Sequence, residues 1–218
     1  MWSITSYDFL KLGKFALIEN LLKDSDPSIR LEACRLIACV AQNYEEAQNL
    51  ICNETEVMLI LADIVQVDSC IDHKSKALSA LRCLVENNNE LINRFLDQPV
   101  NGYELLELAL RSNHIDLQGK AAMLINCLMD SKKSELIDKG FISIIQQTYA
   151  KRPWHQTKYL LLQCLYELLK RSPEGVVACL KIGLPTQIRS LIASIPEEED
   201  SAADDEIGDE VLRFIENR

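Results

Sequence analysis

The chain has 218 residues, of which 48% are apolar and 26% are charged, and its net charge is −10. This apolar fraction excludes a disordered chain, and no apolar run is long enough for a membrane-spanning helix. A pI near 4.9 argues against the basic face that nucleic-acid binding needs. Glycine and proline are scarce, which favours helices over sheets. We therefore expect a helical protein that binds neither nucleic acid nor membrane.

Eight cysteines are spread through the chain, and most of them lie within periodic apolar segments. No secretory signal is visible, so we expect reduced thiols in a cytoplasmic protein. No CxxC pair occurs, and the three histidines are not spaced with the cysteines as zinc ligands are. We expect no metal and no other cofactor.

Four long segments repeat along the chain. Three align without gaps at a spacing of 44 residues: IRLEACRLIACVAQN (29–43), HKSKALSALRCLVEN (73–87) and LQGKAAMLINCLMDS (117–131). A fourth, YLLLQCLYELLKR (159–171), follows 40 residues later. Their apolar residues share the spacing i, i+3, i+4, i+7 and i+8, which predicts a long helix with one buried stripe in each.

Two shorter helical segments separate successive long ones. Residues 134–150 read SELIDK and then GFISIIQQTYA, and residues 175–194 read GVVACLKI and then GLPTQIRSLIAS. Gly140 and Gly183 stand at the same junction, where glycine suits the end of a helix, and Pro185 suits the first turn of the next. A short, a medium and a long helix in about 40 residues is the armadillo layout. The sequence predicts an all-α fold, a right-handed α-solenoid of about four armadillo-like three-helix repeats.

The two ends of the chain depart from this repeat. The first unit is incomplete, with a second helix at 4–23, so either the aromatic residues near the start pack over that end or a preceding repeat is missing. The composition predicts an armadillo-like domain at 1–195, an acidic linker at 196–206 and a short helix at 207–218.

Stacked third helices line the concave groove of such a solenoid, so we expect the function there. At 100° per residue, the face opposite the buried stripe carries charges of both signs, which suits a folded protein partner. No tryptophan occupies the groove positions, which disfavours a basic-peptide groove, and the cysteines there are either small fillers or ligand contacts. The expected partner-binding residues are Arg35, Cys39, Lys76, Ser79, Cys83, Lys120, Met123, Cys127, Gln163 and Glu167.

The common catalytic motifs are missing from the sequence. It contains no GxxxxGK[ST], GxSxG, HExxH or GxGxxG pattern. An α-solenoid without such a motif is typical of a binding scaffold, so we expect no enzymatic activity.

Residues 12–195 resemble a known family of armadillo proteins. The resemblance rests on the stretches IRLEACRLIACVAQNYEEAQ, KALSALRCLVENN and RSPEGVVACLKIGLPTQI and on their order along the chain. They are similar to the armadillo-type nucleotide exchange factors of the 70-kDa heat-shock chaperone, Hsp70. These factors form the Hsp70-binding protein and Fes group, which is related to the luminal Sil group.

The resemblance implies a co-chaperone that holds lobe II of the Hsp70 nucleotide-binding domain in its groove and promotes ADP release. Basic residues of the family's third and second repeats align with Lys120 and Lys76, which are therefore the implied ion-pairing contacts. The family's ladder asparagine in the second repeat is Cys83 here. The resemblance to the cytosolic branch implies a cytoplasmic protein, and we expect a monomer.

The residues leave one alternative function open. A generic armadillo adaptor would bind another protein or peptide without exchange activity. Such an adaptor would take up an extended segment through backbone contacts, whereas an exchange factor needs a folded domain as its partner.

Overall fold

The computed structural model describes residues 15–150, 156–192 and 202–217, and every regular element in these ranges is an α-helix. The all-α prediction is confirmed. The start of the predicted helix at 4–23 and most of the predicted linker at 196–206 lie outside the described residues. No helix within the described ranges combines the length and apolar character needed to cross a membrane.

The chain forms two compact units, one ending at Cys127 and the other beginning at Leu128. The helices of the first unit are α1 (Phe15–Leu22), α2 (Pro27–Ala41), α3 (Glu45–Glu54), α4 (Val57–Val67), α5 (Ile71–Val85), α6 (Asn89–Leu96) and α7 (Gly102–Arg111). Helix α8 (Ile115–Asp138) contributes to both units. The helices of the second unit are α9 (Phe141–Ala150), α10 (Gln156–Leu169), α11 (Pro173–Lys181), α12 (Leu184–Ile192) and α13 (Ala202–Glu216).

The predicted long helices are α2, α5, α8 and α10, and each buries its apolar stripe. In the first unit α2 packs along α5, which in turn packs against α4. Leu36 departs from the pattern, because it is only partly buried beside Leu21 on α1. In α5 the whole stripe is removed from solvent: Ala77, Ala80, Leu81, Leu84 and Val85.

Two of the third helices, α2 and α5, end next to an asparagine. Asn43 and Asn87 follow α2 and α5 with φ angles of 54° and 61°, the left-handed conformation that asparagine tolerates better than most residues. The corresponding residue of the next repeat is Ser131, and there α8 continues. The prediction of a separate short helix for SELIDK is therefore wrong, since this segment forms the last turns of α8. Gly140, at a φ of 80°, follows that helix as predicted.

A buried glutamine joins the ends of neighbouring repeats. Gln48 on α3 is 1% exposed, and its Nε2 lies 3.2, 2.9 and 3.0 Å from the carbonyl oxygens of Ala41, Cys83 and Glu86. These carbonyls lie in or just after the last turns of α2 and α5, where helices lack internal donors. Asn88 completes the node by donating from Nδ2 to Gln48 Oε1 at 3.2 Å. Gln48 therefore fixes both helix ends with one side chain.

A second donor recurs one turn into three of the third helices, α2, α5 and α8. Arg30 Nη1 donates to the Asp24 carbonyl at 2.9 Å, and Lys74 Nζ donates to the Gln66 carbonyl at 2.9 Å. At the same position of the next repeat, Gln118 Nε2 donates to a carbonyl at the end of α7 at 3.0 Å. In each repeat the side chain satisfies the carboxyl end of the preceding second helix. The charge of Arg30 and Lys74 is therefore explained within the fold.

The C-terminal helix is longer at its start than the 207–218 segment predicted from the sequence. It begins at Ala202, because two alanines, the best helix formers, precede the apolar residues. In the second unit α13 packs on α10 and α12, and Arg189 pairs with Glu216 to join α12 and α13.

Replacing Leu81 with alanine should lower the free energy of unfolding by about 2–5 kcal/mol, because Leu81 is completely buried in the α5 stripe. Chemical denaturation followed by circular dichroism measures this change. Leu108→Ala is the matched control, since Leu108 is 43% exposed and its truncation should cost about 0.5 kcal/mol or less. Equal losses in the two variants would contradict the predicted register of the stripe.

Replacing Gln48 with alanine should cost about 1–3 kcal/mol, because buried carbonyl oxygens lose their donor. The same denaturation measurement applies, with Gln66→Ala as an exposed glutamine control. A loss no larger than that of the control would show that water replaces the Gln48 amide at no cost.

Candidate functional site

The predicted groove residues of the first unit lie on α2, α5 and the first half of α8. Lys76 and Lys120 occupy equivalent positions of successive third helices and are both partly buried. Among the described residues neither ammonium group forms an ion pair, although eleven such pairs are present. The first unit therefore presents two partly desolvated positive charges on one face, which we name the lysine face.

Other cations on this face are neutralised by their own helix. Arg35 on α2 is exposed and pairs with Glu32. Arg82 Nη1 on α5 lies 2.7 Å from Glu86 Oε1, and both side chains are about one-fifth exposed, at 20% and 22%. Burial disfavours the charge of Arg82, but Cys83 and Glu86 outweigh it and raise the Arg82 pKa. The charges of Arg35 and Arg82 are thus already matched, unlike those of Lys76 and Lys120.

The three predicted cysteines of the lysine face differ in their surroundings. Cys39 is exposed, whereas Cys83 is 4% exposed and Cys127 is partly buried. Cys127 Sγ lies 3.3 Å from the Met123 carbonyl oxygen and 3.9 Å from Glu86 Oε1. Burial raises the pKa of both Cys83 and Cys127, and Glu86 adds to the effect on Cys127. At neutral pH these two are protonated thiols that pack between helices.

The remaining predicted residues of the first unit, Ser79 and Met123, are partly buried like the two lysines. Ser79 Oγ donates to the carbonyl oxygen of Ser75 at 2.9 Å, one turn earlier in the same helix. Met123 on α8 is partly buried. Within the described part of the chain, no three cysteine, histidine or acidic side chains come together as a metal site requires.

The second unit contains the last two predicted residues, Gln163 and Glu167 on α10. Gln163 is partly buried. Glu167 is shared by two lysines, with Oε2 at 2.8 Å from Lys133 Nζ and Oε1 at 2.6 Å from Lys170 Nζ. Hydrogen bonds from Lys133 and Lys170 hold the pKa of the Glu167 carboxyl below its usual value. Glu167 therefore stays ionised and is internally matched.

The sequence analysis missed two residues that shape these surfaces. Arg82 could have been found, because Arg82 and Glu86 have the i, i+4 spacing of a helical ion pair. Lys133 could not have been found. It lies in a part of α8 where the sequence predicted the helix to end, and it contacts Glu167 on another helix.

Comparison with known sequences finds relatives that share one name. No protein-family model matches the chain. Curated relatives named Hsp70-binding protein 1, from rat and from mouse, are each 25% identical over 217 residues and cover 94% of the chain. The human protein of that name is also 25% identical over the same length. The chain spans 58% of the length of these relatives.

Comparison with solved structures shows the fold class. A designed armadillo repeat protein in complex with the peptide (KR)4 superposes with a TM-score of 0.74 at 16% identity, covering 95% of this chain and 85% of its own. A second designed armadillo repeat protein gives a TM-score of 0.72 at 15% identity, covering 96% of this chain and 85% of its own. The chain has the armadillo-repeat fold, and the predicted resemblance to the Hsp70-binding armadillo family is confirmed.

The surroundings of the thiols predict selective alkylation. At pH 8 iodoacetamide should modify exposed Cys39 at least 10-fold faster than Cys34 or Cys52, whose pKa burial raises to about 12. Mass spectrometry of peptides after timed quenching measures the rates. In urea the difference should vanish, because all thiols then have similar exposure. Rapid modification of Cys34 in the folded chain would contradict the burial described above.

Proposed function

We propose that this chain binds the nucleotide-binding domain of an Hsp70-type chaperone and thereby promotes ADP release. The observation that carries the proposal is the lysine face, where Lys76 and Lys120 form no ion pair with any residue that the structure describes. The similarity to relatives named Hsp70-binding protein 1 supports Hsp70 as the partner. We expect the contact to be with lobe II of that domain and to take place in the cytoplasm. We also expect the chain to bind as a monomer.

Unpaired, partly buried lysines favour an acidic surface on the partner. Lys76 and Lys120 lose part of their hydration on folding, and no carboxylate of the described ranges pairs with them in return. A partner that places Asp or Glu against them recovers this cost and gains orientation from the two fixed charges. For the same reason a basic peptide is disfavoured on the lysine face. The other predicted contacts of this surface are Arg35, Cys39, Ser79, Cys83, Met123 and Cys127, with Gln163 and Glu167 in the second unit.

Exchange activity needs no bond to be made or broken by this chain. A protein that binds the open form of the nucleotide-binding domain more tightly than the ADP-closed form shifts the population towards the open form. A 100-fold difference in affinity corresponds to about 2.7 kcal/mol of shift. The proposed role is therefore that of a binding protein, with the chaperone supplying the nucleotide site.

Stopped-flow release of a fluorescent ADP analogue from a cytosolic Hsp70 tests the proposal. Adding this chain should accelerate release many-fold, and the effect should saturate with its concentration. No acceleration, together with no complex on a sizing column, would overturn the proposed function. A complex without acceleration would support the adaptor alternative instead.

Charge reversal at Lys120 should weaken the complex at least 10-fold without unfolding the chain, because a partner carboxylate would then face a like charge. Half-maximal acceleration in the same stopped-flow assay measures the change. Lys181→Glu is the matched control, since Lys181 is an exposed lysine on α11 of the second unit and is not one of the predicted contacts. Equal affinities of the folded Lys120→Glu and Lys181→Glu variants would remove Lys120 from the site.

A further inference from the structure

The C-terminal helix has the pattern of a third helix. In the sequence it was separated from the repeats by an acidic stretch, yet α13 follows α11 and α12 just as α5 follows α3 and α4. Its small residue Gly208 takes the place that Ala33 and Ala77 have in α2 and α5. Four buried residues of α13 repeat the i, i+3, i+4, i+7 spacing of a third helix, Gly208, Val211, Leu212 and Ile215, and Ile207 is buried beside them.

Side-chain contacts support the same register. In the first unit Arg82 on α5 interacts with Cys127 on the next third helix, α8. When the repeats are aligned on their stripes, Tyr166 corresponds to Arg82 and Phe214 corresponds to Cys127. In the second unit these two rings meet edge to face, with centroids 5.6 Å apart and planes at 84°. Helix α13 therefore contacts α10 in the register of one third helix against the next.

The α10–α13 cleft lies between these two helices, within the second unit. It has a volume of about 330 Å³. One wall carries the partly buried rings of Tyr159 and Tyr166, and the other carries the exposed carboxylates of Glu206 and Glu210, one helical turn apart. Lys170 and its partner Glu167 line the cleft as well, and Lys170 Nζ lies 4.1 Å from the centroid of the Tyr166 ring. Aromatic faces and carboxylates together favour a positively charged guest.

The charges around the cleft leave one negative charge unmatched. Lys133 and Lys170 contribute two positive charges, and Glu167, which they share, contributes one negative charge. The second positive charge offsets only one of the two remaining carboxylates. Glu206 and Glu210 form no ion pair among the described residues, although Glu210 acts on Lys170 through its field. One monovalent cation from a partner would make the cleft neutral. A lysine or arginine side chain has the charge, the length and the apolar stem that this cleft accommodates.

We propose that α13 is the third helix of a fifth repeat and that the α10–α13 cleft binds a lysine or arginine side chain of a protein partner. Glu206 and Glu210 bind its charge, and Tyr159 and Tyr166 pack against its stem. By alignment, Glu210 extends the groove positions that include Gln163. The subsite goes beyond the proposed function, because it does not depend on Hsp70 being the partner.

Titration of the ¹⁵N-labelled full chain with a capped hexapeptide of alternating lysine and arginine tests this subsite. Amide resonances of Tyr159, Tyr166 and Glu210 should shift together and saturate, whereas a glycine–serine hexapeptide should leave them unchanged. The double variant Glu206→Gln, Glu210→Gln should bind the basic peptide at least 10-fold more weakly. Binding by the wild-type chain should also weaken as sodium chloride rises from 50 to about 300 mM.

The variant Asp209→Asn is the matched control, because Asp209 lies on the same helix and does not line the cleft. It should bind the basic peptide as the wild-type chain does. Cleft resonances that do not move, or equal affinities of the double variant and the wild-type chain, would overturn the subsite. The two proposals fail separately. A chain that accelerates ADP release need not bind the basic peptide, and a chain that binds the basic peptide need not accelerate ADP release.

Discussion

Each third helix carries one apolar stripe that it cannot bury by itself, and the rest of the structure depends on this constraint. The stripe of α5 becomes fully buried only because α2 and α4 cover it. The small residues Ala33, Ala77 and Gly208 stand at equivalent places of α2, α5 and α13, and all three are buried. Once the stripes are covered, the opposite faces of the third helices are determined as well. The positions of Lys76 and Lys120 therefore follow from the packing of residues that no partner touches.

Charges in this chain divide into those used by the fold and those left for a partner. Arg82 is matched by Glu86, and Glu167 is shared by Lys133 and Lys170. The Lys133–Glu167 pair joins α8 to α10, whereas the other two pairs form between residues three or four apart, and all of them leave little charge for another protein. Lys76 and Lys120 of the lysine face, and Glu206 and Glu210 of the α10–α13 cleft, form no ion pair among the described residues, and the two proposals rest on them separately.

The spacing of apolar residues was sufficient to predict the helices and the buried stripes, because burial repeats with the helical period. Two features escaped this reasoning. The first is that α8 continues through Ser131, where α2 and α5 have already ended. Asn43 and Asn87 adopt the left-handed conformation that ends those two helices, and the spacing of apolar residues does not indicate which residues tolerate it. The helix at 207–218 was predicted, but the acidic stretch hid its first turn at 202–206, because composition describes the solvent-facing side of a segment and not what its apolar side packs against. For the site, the face of each helix was predictable, but the partners of Glu167 depended on tertiary contacts.

The donor position filled by Arg30, Lys74 and Gln118 has a consequence for how the charge of such repeats is interpreted. All three side chains donate to a carbonyl oxygen at or just beyond the end of the preceding helix, and one of them, Gln118, does so without a charge. A basic side chain at this position therefore serves the backbone. A ligand search guided by total positive charge would count Arg30 and Lys74 wrongly.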